Sequence, residues 1–79
     1  MNIPEETNRE IAVLLRSRRK AKGLTQQQTA EKAGLLIRHY SRFELCERSL
    51  LRASFNTTMA VLETLEIDPN AFVKQYVLS

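Results

Sequence analysis

Cysteine, histidine, glycine, proline and tryptophan are scarce in this 79-residue chain, which has one Cys, one His, two Gly, two Pro and no Trp. A single cysteine, Cys46, excludes an internal disulfide framework and is typical of a reducing compartment. No second Cys or nearby His stands at metal-ligand spacing, so we expect a small buried or half-buried apolar side chain there and no metal site. With few glycines and prolines and scattered β-branched residues, the composition predicts an all-helical (all-α) domain.

Long hydrophobic runs and catalytic constellations are also absent from the sequence. No apolar stretch approaches the length of a membrane span, and residues 1–6 have neither a basic start nor an apolar core, so we expect no signal peptide. The chain has no glycine-rich phosphate loop and no paired carboxylates suited to acid–base chemistry. We therefore expect a cytoplasmic protein without a membrane partner, which needs no cofactor and is not an enzyme.

The length of the chain supports one domain, residues 1–79, near the small end of what folds alone. Hydrophobic residues make up 43% of the chain and charged residues 27%, as in globular rather than disordered proteins. Because so short a chain buries little apolar surface by itself, dimerisation would be a useful source of further burial.

The formal net charge of +3 is concentrated in one segment. Five of the seven residues from 16 to 22 are basic, whereas the rest of the chain has the other seven of its 12 basic residues and all nine acidic ones. A basic cluster of this kind suits contact with nucleic-acid phosphates, and the alternative is a solvated helix face. The cluster consists of Arg16, Arg18, Arg19, Lys20 and Lys22.

Apolar periodicity and helix-terminal residues predict five helices. Thr25 is expected to cap the second helix, with Gln28 completing a capping box, and Gly34 follows its end. No Gly or Pro lies between residues 46 and 56, so the third helix could continue to Ala53, or the chain could leave it near Cys46. The predicted ranges are 5–22 or 8–22, 26–33, 37–45, a fourth helix that starts after Asn56 or Thr57 and ends near 66, and 69–78.

Residues 25–45 have the layout of a helix-turn-helix, in which two short helices meet at a tight turn and the second enters the DNA major groove. Arg38 and Arg42 stand four residues apart on one face of the second helix, where each could donate two hydrogen bonds to guanine. Ile37 could touch a thymine methyl group or belong to the core, and His39 is expected on the surface near phosphate. The pattern predicts a protein that recognises double-stranded DNA.

A set of residues within 11–65 carries a family resemblance: Leu15, Arg19 and Gly23, then Leu24-Thr25-Gln26, Ala30-Glu31-Lys32-Ala33-Gly34-Leu35 and Ser41-Arg42-Phe43-Glu44. On these residues the chain resembles the lambda-repressor-like helix-turn-helix family, the Cro and cI type of bacterial and phage regulators. The resemblance implies a compact five-helix domain and a sequence-specific DNA-binding transcriptional regulator.

The resemblance also implies roles for individual residues. Gln26 would reach a backbone phosphate, and Arg19 and Glu44 would form a partly buried ion pair between the first and third helices. Arg48, or Arg52 near it, could contact the DNA backbone or a dimer partner. The residues expected to contact DNA are Gln26, Gln27, Ile37, Arg38, His39, Ser41, Arg42, Arg16 and Arg48.

Three departures from the family pattern fall around the third helix. Leu36 stands where the family often has a capping Ser or Thr, so we expect that helix to lack its side-chain cap. Cys46 stands where the family usually has a Gly after the Glu of the motif, so we expect the helix to lack the glycine that usually ends it. The segment from Glu44 to Leu65 is also longer than the common pattern, which leaves the connection between the third and fourth helices undetermined.

The C-terminal helix, residues 69–78, places four apolar residues on one side. They could pack on the chain's own core, but so apolar a tail favours a dimer interface. A short chain with a fifth helix resembles the controller proteins of restriction–modification systems, which dimerise through C-terminal helices, so we expect a homodimer on a roughly palindromic operator. The alternative is a protein-interaction module such as an antitoxin or a partner-sequestering regulator. The expected interface residues are Phe72, Val73, Tyr76 and Val77.

Overall fold

Five α-helices and one short 3-10 helix form the chain in a computed structural model that describes residues 3–78. The described residues contain no strand, which confirms the predicted all-helical class. Residues 1, 2 and 79, including the start of the segment expected to carry no signal peptide, lie outside the described range. The elements are α1 (Glu5–Ala21), α2 (Gln26–Ala33), α3 (Ile37–Glu44), the 3-10 helix (Leu50–Arg52), α4 (Phe55–Thr64) and α5 (Pro69–Tyr76).

One hydrophobic core joins all five α-helices and the 3-10 helix. The Cα radius of gyration is 11.4 Å, close to the value of about 11.6 Å expected for a compact domain of this length. The buried apolar residues that form the core are Ile11, Leu15, Ala30, Tyr40, Phe43, Leu50, Val61, Leu62, Leu65 and Phe72.

The longest helix is α1, with 17 residues and charged side chains at both ends. A membrane span needs about 20 predominantly apolar residues. Within residues 3–78, no helix has the length and apolar composition that crossing a bilayer requires.

The capping box predicted at the start of α2 is confirmed. The Thr25 hydroxyl accepts a hydrogen bond from the Gln28 backbone N–H at 3.0 Å, and the Gln28 side-chain oxygen accepts one from the Thr25 N–H at 2.9 Å. These two bonds satisfy backbone donors that have no partner inside the helix. At the other end, Gly34 adopts the left-handed conformation (φ 73°) and turns the chain toward α3.

Cys46 ends α3 in the left-handed conformation that usually selects glycine. Its φ is 61°, and the Glu47 N–H donates to the Arg42 carbonyl at 3.0 Å, which closes the last turn. The expectation that α3 would lack its stop is therefore wrong, because a non-glycine residue adopts this conformation here. The expectation of a buried or half-buried thiol is also wrong: Cys46 is exposed, since the chain turns at the surface.

Between α3 and α4 the chain follows the second alternative and leaves the third helix near Cys46. The 3-10 helix that follows carries Leu50 into the core, and the Ser49 hydroxyl accepts a hydrogen bond from the Leu51 N–H at 3.1 Å. The Thr58 hydroxyl in α4 donates to the Leu50 carbonyl at 3.0 Å. One buried leucine and two side-chain hydrogen bonds therefore order a segment that contains no Gly or Pro.

The start of α4 is at Phe55, earlier than the predicted start after Asn56 or Thr57. Ser54 is the capping residue, because it has the extended backbone that a cap needs and its hydroxyl accepts from the Thr57 N–H at 3.1 Å. Asn56 and Thr57 are already helical. The predicted ends of the first, third and fifth helices lie one or two residues beyond the observed ones, as is common where helix ends fray.

We predict that Cys46→Gly stabilises the protein relative to Cys46→Ala. A non-glycine residue at φ 61° destabilises the folded state by about 1–2 kcal/mol. Glycine avoids this strain but also makes the unfolded state more flexible, so the expected net gain in stability is about 1 kcal/mol. Equilibrium unfolding in urea measures the difference. Alanine is the matched control because both variants lose the thiol, and equal stabilities would contradict the prediction.

Candidate nucleic-acid interface

The third helix, α3, is amphipathic, with one face in the core and the other in solvent. Tyr40, Phe43 and Glu44 are buried. Arg38 and Arg42, four residues apart, are exposed on another side of the helix. Because α3 packs against both α1 and α2, it is held from one side and presents the other to solvent.

The buried Glu44 carboxylate holds α3 against α1 and α2. Its side chain is only 1% exposed. Arg19 of α1 donates to both carboxylate oxygens, from Nε at 2.7 Å and from Nη2 at 3.1 Å. Tyr40 donates from its hydroxyl at 2.5 Å, and Gln26 donates from Nε2 at 3.1 Å. Four hydrogen bonds from three helices therefore compensate the buried charge.

These contacts determine the ionisation of the cluster. Burial acts to raise the pKa of Glu44, but hydrogen bonds from Arg19, Tyr40 and Gln26 together outweigh it, so this pKa lies below its ordinary value of 4.5. The hydrogen bond to Glu44 raises the pKa of Arg19. Burial, and then the hydrogen bond to Glu44, raises the pKa of Tyr40. At neutral pH the cluster is an ion pair with a neutral tyrosine donor.

Two arginines of the basic cluster bind the C-terminal ends of other helices. Arg16 donates from Nη2 to the Glu44 backbone carbonyl at 3.0 Å, at the end of α3. Arg18 donates from Nε to the Leu65 backbone carbonyl at 3.2 Å, at the end of α4. Helix C-termini carry carbonyls without helical partners and a partial negative charge, so cations are favourable there.

The remaining residues of the basic cluster, with one exception, pair with carboxylates of the chain. Lys22 forms an ion pair with Glu66, directly after α4. With Arg19 also paired, four of the five cluster residues have intramolecular partners, and Lys20 has none within residues 3–78. The cluster therefore serves mainly to hold helices of the chain together through intramolecular contacts. Arg16, which was expected to contact DNA, makes one of these intramolecular contacts.

The exposed face of α3 carries cations that have no such partners. The side chains of Arg38 and Arg42 make no ion pair or hydrogen bond within the described part of the chain. Ser41, half-buried between them, donates from its hydroxyl to the Arg38 backbone carbonyl at 3.3 Å. His39 is exposed beside them. Two guanidinium groups with all their donors available therefore lie on one exposed helix face.

Leu36 and Ile37 at the start of α3 are exposed, by 55% and 41%. Leu36 has the extended backbone of a capping residue (φ −72°, ψ 144°) and makes no side-chain cap, as expected. Leu35, by contrast, packs against the core. Of the two interpretations of Ile37, the one that assigns it to the core is therefore excluded.

The two glutamines expected to reach DNA already donate hydrogen bonds within the chain. Gln26 is half-buried and donates to the Glu44 carboxylate. Gln27 is exposed and donates from Nε2 to the Glu31 carboxylate at 2.9 Å. The Gln27 bond joins two exposed side chains and can be exchanged for another partner at little cost, whereas the Gln26 bond serves a buried charge.

His39 and Arg48 line an open cleft of about 230 Å³ between α3 and the start of α4. Ser54 and Thr57, at the N-terminus of α4, line the same cleft. The N-terminal end of a helix attracts anions. The arrangement therefore puts an arginine and a histidine beside a helix end of positive potential.

The four residues expected at a dimer interface do not share one environment. Phe72 is 3% exposed, and its ring centroid lies 5.1 Å from that of Tyr76. This corrects the assignment of Phe72 to the interface, because its ring is used in the chain's own core. Tyr76 is half-buried, and Val73 and Val77 are exposed.

Val13 is an exposed apolar residue that the sequence analysis did not single out. It is 56% exposed and lines an open cleft of about 540 Å³ between α1 and α5. An apolar residue that falls outside the buried stripe of its helix is the signal that could have identified it. We define the α1–α5 surface by the residues that line this cleft, namely Glu6, Arg9, Glu10, Val13, Leu14, Ser17 and Tyr76.

We predict that Glu44→Gln lowers the free energy of unfolding by about 3 kcal/mol at pH 7, since it leaves Arg19 partly buried without its counter-ion. The effect depends on pH. Because the folded-state pKa of Glu44 lies below 4.5, its carboxylate stabilises the fold fully above that value and loses this contribution as the pH falls through the folded-state pKa. Urea unfolding from pH 7 to pH 3 should show the two proteins converging in stability.

The matched control is Glu63→Gln, which changes an exposed carboxylate on α4 that has no ion pair within residues 3–78. Its unfolding free energy should stay close to that of the parent protein. A stability difference between the parent and Glu44→Gln that is the same at pH 3 and pH 7 would contradict the assignment.

Comparison of the chain with protein-family models, with curated proteins and with solved structures finds no match. Among residues 3–78, no group of three or more His, Cys, Asp or Glu side chains could hold a metal ion. The features that bear on function are therefore the exposed face of α3 and the contacts that hold this helix in place.

Proposed function

We propose that this protein is a sequence-specific DNA-binding transcriptional regulator. It belongs, in this proposal, to the lambda-repressor-like helix-turn-helix type, with α2 and α3 as the motif and α3 as the helix that enters the major groove. The observation that carries the proposal is the pair of arginines, Arg38 and Arg42, whose side chains have no partners within residues 3–78. They lie on the exposed face of a helix whose buried face packs against α1 and α2.

The anchoring of α3 supports this use because base recognition needs a fixed helix. Glu44, on the buried face of α3, accepts hydrogen bonds from side chains of α1, α2 and α3 itself. A shift of α3 relative to α1 or α2 would break one of these bonds and leave part of a buried charge uncompensated. The arginines on the opposite side are therefore presented on a rigid frame, which lowers the entropic cost of binding.

The arrangement of charge favours DNA over an acidic protein as the ligand of this face. The two arginines can each donate a fork of two hydrogen bonds to the O6 and N7 atoms of guanine. His39 and Arg48 stand beside the start of α4, where a backbone phosphate would meet a positive helix end. A duplex presents base edges and phosphates together, so it can satisfy both groups at once.

The proposal includes a homodimer on a roughly palindromic operator. The α1–α5 surface contains exposed Val13 and half-buried Tyr76, and Glu6, Arg9 and Glu10 line the same cleft. Lys74 on α5 is exposed and has no ion pair within residues 3–78, so it is available to a carboxylate of a second copy. A dimer built on this surface would present two copies of α3 to two half-sites about one helical turn apart.

A second candidate function is a protein-interaction module that sequesters another protein. Exposed Val13 on the α1–α5 surface, together with Val73 and Val77 exposed near the C-terminus, favours it, since exposed apolar residues mark interaction sites. Co-purification with a stoichiometric partner would support this candidate. Tight, salt-sensitive binding of DNA by the isolated chain would count against it.

We predict that Arg38→Ala and Arg42→Ala each weaken binding to a DNA site selected from a random pool by about tenfold or more, because each removes a two-point contact to a base. Each variant should also lose preference at one base-pair position per half-site. Fluorescence-anisotropy titrations at fixed salt, followed by repeated selection with each variant, measure both effects.

Lys32→Ala is the matched control, because Lys32 is also an exposed cation without an ion pair within residues 3–78 but belongs to α2 and lies outside the α1–α5 surface. It removes the same charge and should change the affinity by less than about twofold. Unchanged sequence preference in both α3 variants would overturn the assignment of the two arginines, and absence of any selected motif would overturn the proposed function.

We predict that Val13→Glu converts the dimer into a monomer. The change adds a carboxylate to a cleft that already contains Glu6 and Glu10, and whose cation Arg9 pairs with Glu5, and it requires desolvation of that carboxylate between two chains. Sedimentation equilibrium measures the molecular mass. The control is Phe55→Glu, the same kind of change at an exposed apolar residue of α4 outside this surface. A dimer that survives Val13→Glu but is lost in Phe55→Glu would contradict the assigned surface.

A further inference from the structure

We propose that Leu36 and Ile37 bind the 5-methyl group of a pyrimidine in the major groove, next to the guanine that Arg38 contacts. The inference rests on the proposed function and extends it to a chemical feature of the operator. The feature is a methyl group at pyrimidine C5, which thymine always carries and 5-methylcytosine shares.

Leu36 is the first observation. Its backbone has the extended conformation of a helix N-cap (φ −72°, ψ 144°), yet its side chain cannot accept the hydrogen bond that the first turn of α3 offers. Ser, Thr, Asn or Asp at this position would cap the helix and would also be better hydrated. The chain instead exposes 55% of a leucine. Such a local conflict is expected where a side chain has a binding role.

Ile37 is the second observation, because it extends the apolar surface along α3 toward the arginines. It is 41% exposed and lines, with Leu36 and Arg38, an open cleft of about 370 Å³. Two branched aliphatic side chains followed directly by an arginine form an apolar patch with a hydrogen-bond donor at its edge. A pyrimidine methyl group beside the acceptors of a guanine has the complementary arrangement.

The charges around the cleft identify DNA as its occupant. Arg38 and Arg42 on the adjoining face have no ion pairs within the described residues, so the surroundings favour a polyanion. The carboxylate that lines the cleft, Glu31, accepts a hydrogen bond from Gln27. In the major groove the C5-methyl group is the apolar feature of the base edges. An apolar segment of a partner protein would leave both arginines without acceptors.

The expected effect is modest and specific. Burial of one methyl group against the two side chains is worth about a fourfold change in affinity for each half-site. Removal of that methyl group from the DNA should cost the same factor, but only for a protein that retains the apolar pair. The affinity of the protein for phosphates should not change.

The test uses the full chain and the duplex selected from a random pool. Each thymine is replaced in turn by deoxyuridine, which removes the methyl group alone, and each cytosine by 5-methylcytosine, which adds it. Anisotropy titrations should show about fourfold weaker binding for one uridine position per half-site, or about fourfold tighter binding for one 5-methylcytosine position. The first result identifies thymine as the source of the methyl group, and the second identifies 5-methylcytosine.

Variant proteins connect the effect to the two residues. Ile37→Ala and Leu36→Ser should bind methylated and unmethylated duplexes with equal affinity. Leu45→Ala, at the opposite end of α3, is the matched control and should keep the full difference. Thermal unfolding excludes loss of structure, because Leu36→Ser supplies the missing cap and should melt no lower than the parent.

The outcomes separate the inference from the function on which it rests. Sequence-specific binding that is insensitive to every methyl substitution would overturn the inference and leave the proposed function standing. A methyl effect that persists in both Ile37→Ala and Leu36→Ser would overturn it as well. Failure to bind any duplex, with capture of a protein partner on the Leu36–Ile37 patch, would overturn both.

Discussion

The buried carboxylate of Glu44 is the interaction on which the arrangement of the first three helices depends. A charge that is 1% exposed is tolerated only when its partners are in place, and here they come from α1, α2 and α3. Each donor is fixed to a different helix, so the carboxylate defines where all three must meet. Apolar packing alone would permit small rotations of α3, since hydrophobic contacts have little directionality.

The same requirement explains how the chain uses its basic residues. The cluster on α1 reads in sequence as a patch for phosphates, yet Arg16, Arg18, Arg19 and Lys22 all turn to groups of their own chain. Two of these contacts are to backbone carbonyls, which carry no sequence signal. Arg38 and Arg42 of α3 have no such partners within residues 3–78, although that helix contributes little to the net charge. The positive charge available at the surface therefore depends on which cations have partners within the chain, and not on how many cations a segment contains.

Local signals predicted the parts of the fold that local physics controls. The capping box of Thr25 and Gln28, the turn at Gly34 and the start of α5 at Asp68-Pro69 each depend on residues a few positions apart. The sequence could not predict the segment after α3, because burial of Leu50 in the core orders it. Its end was also ambiguous, since Ser54, Asn56 and Thr57 could each cap α4. Burial of Phe72 and exposure of Val13 are likewise tertiary, since both are apolar residues on amphipathic helices.

For the candidate site, sequence reasoning found the exposed residues of α3 more readily than the contacts behind them. The spacing of Arg38 and Arg42 is visible in the sequence, and the Arg19–Glu44 pair followed from the resemblance. The donors Gln26 and Tyr40 did not emerge, because an amide and a phenol are common at helix surfaces and only the fold brings them to one carboxylate. Tyr40 in particular has the position of an ordinary core aromatic, and its hydroxyl gives it a second role.

Two residues that flank α3 depart from the usual preferences for helix ends, and they do so for different reasons. Cys46 adopts a glycine conformation but still closes the helix by the usual hydrogen bond, so its cost is one of backbone strain alone. Leu36 makes no side-chain cap and exposes apolar surface at the same position. The fold therefore accounts for Cys46, because its strained backbone closes the last turn of α3. Leu36 weakens its helix and leaves more than half of its side chain exposed, and the proposed contact with a pyrimidine methyl group gives that exposed surface a role.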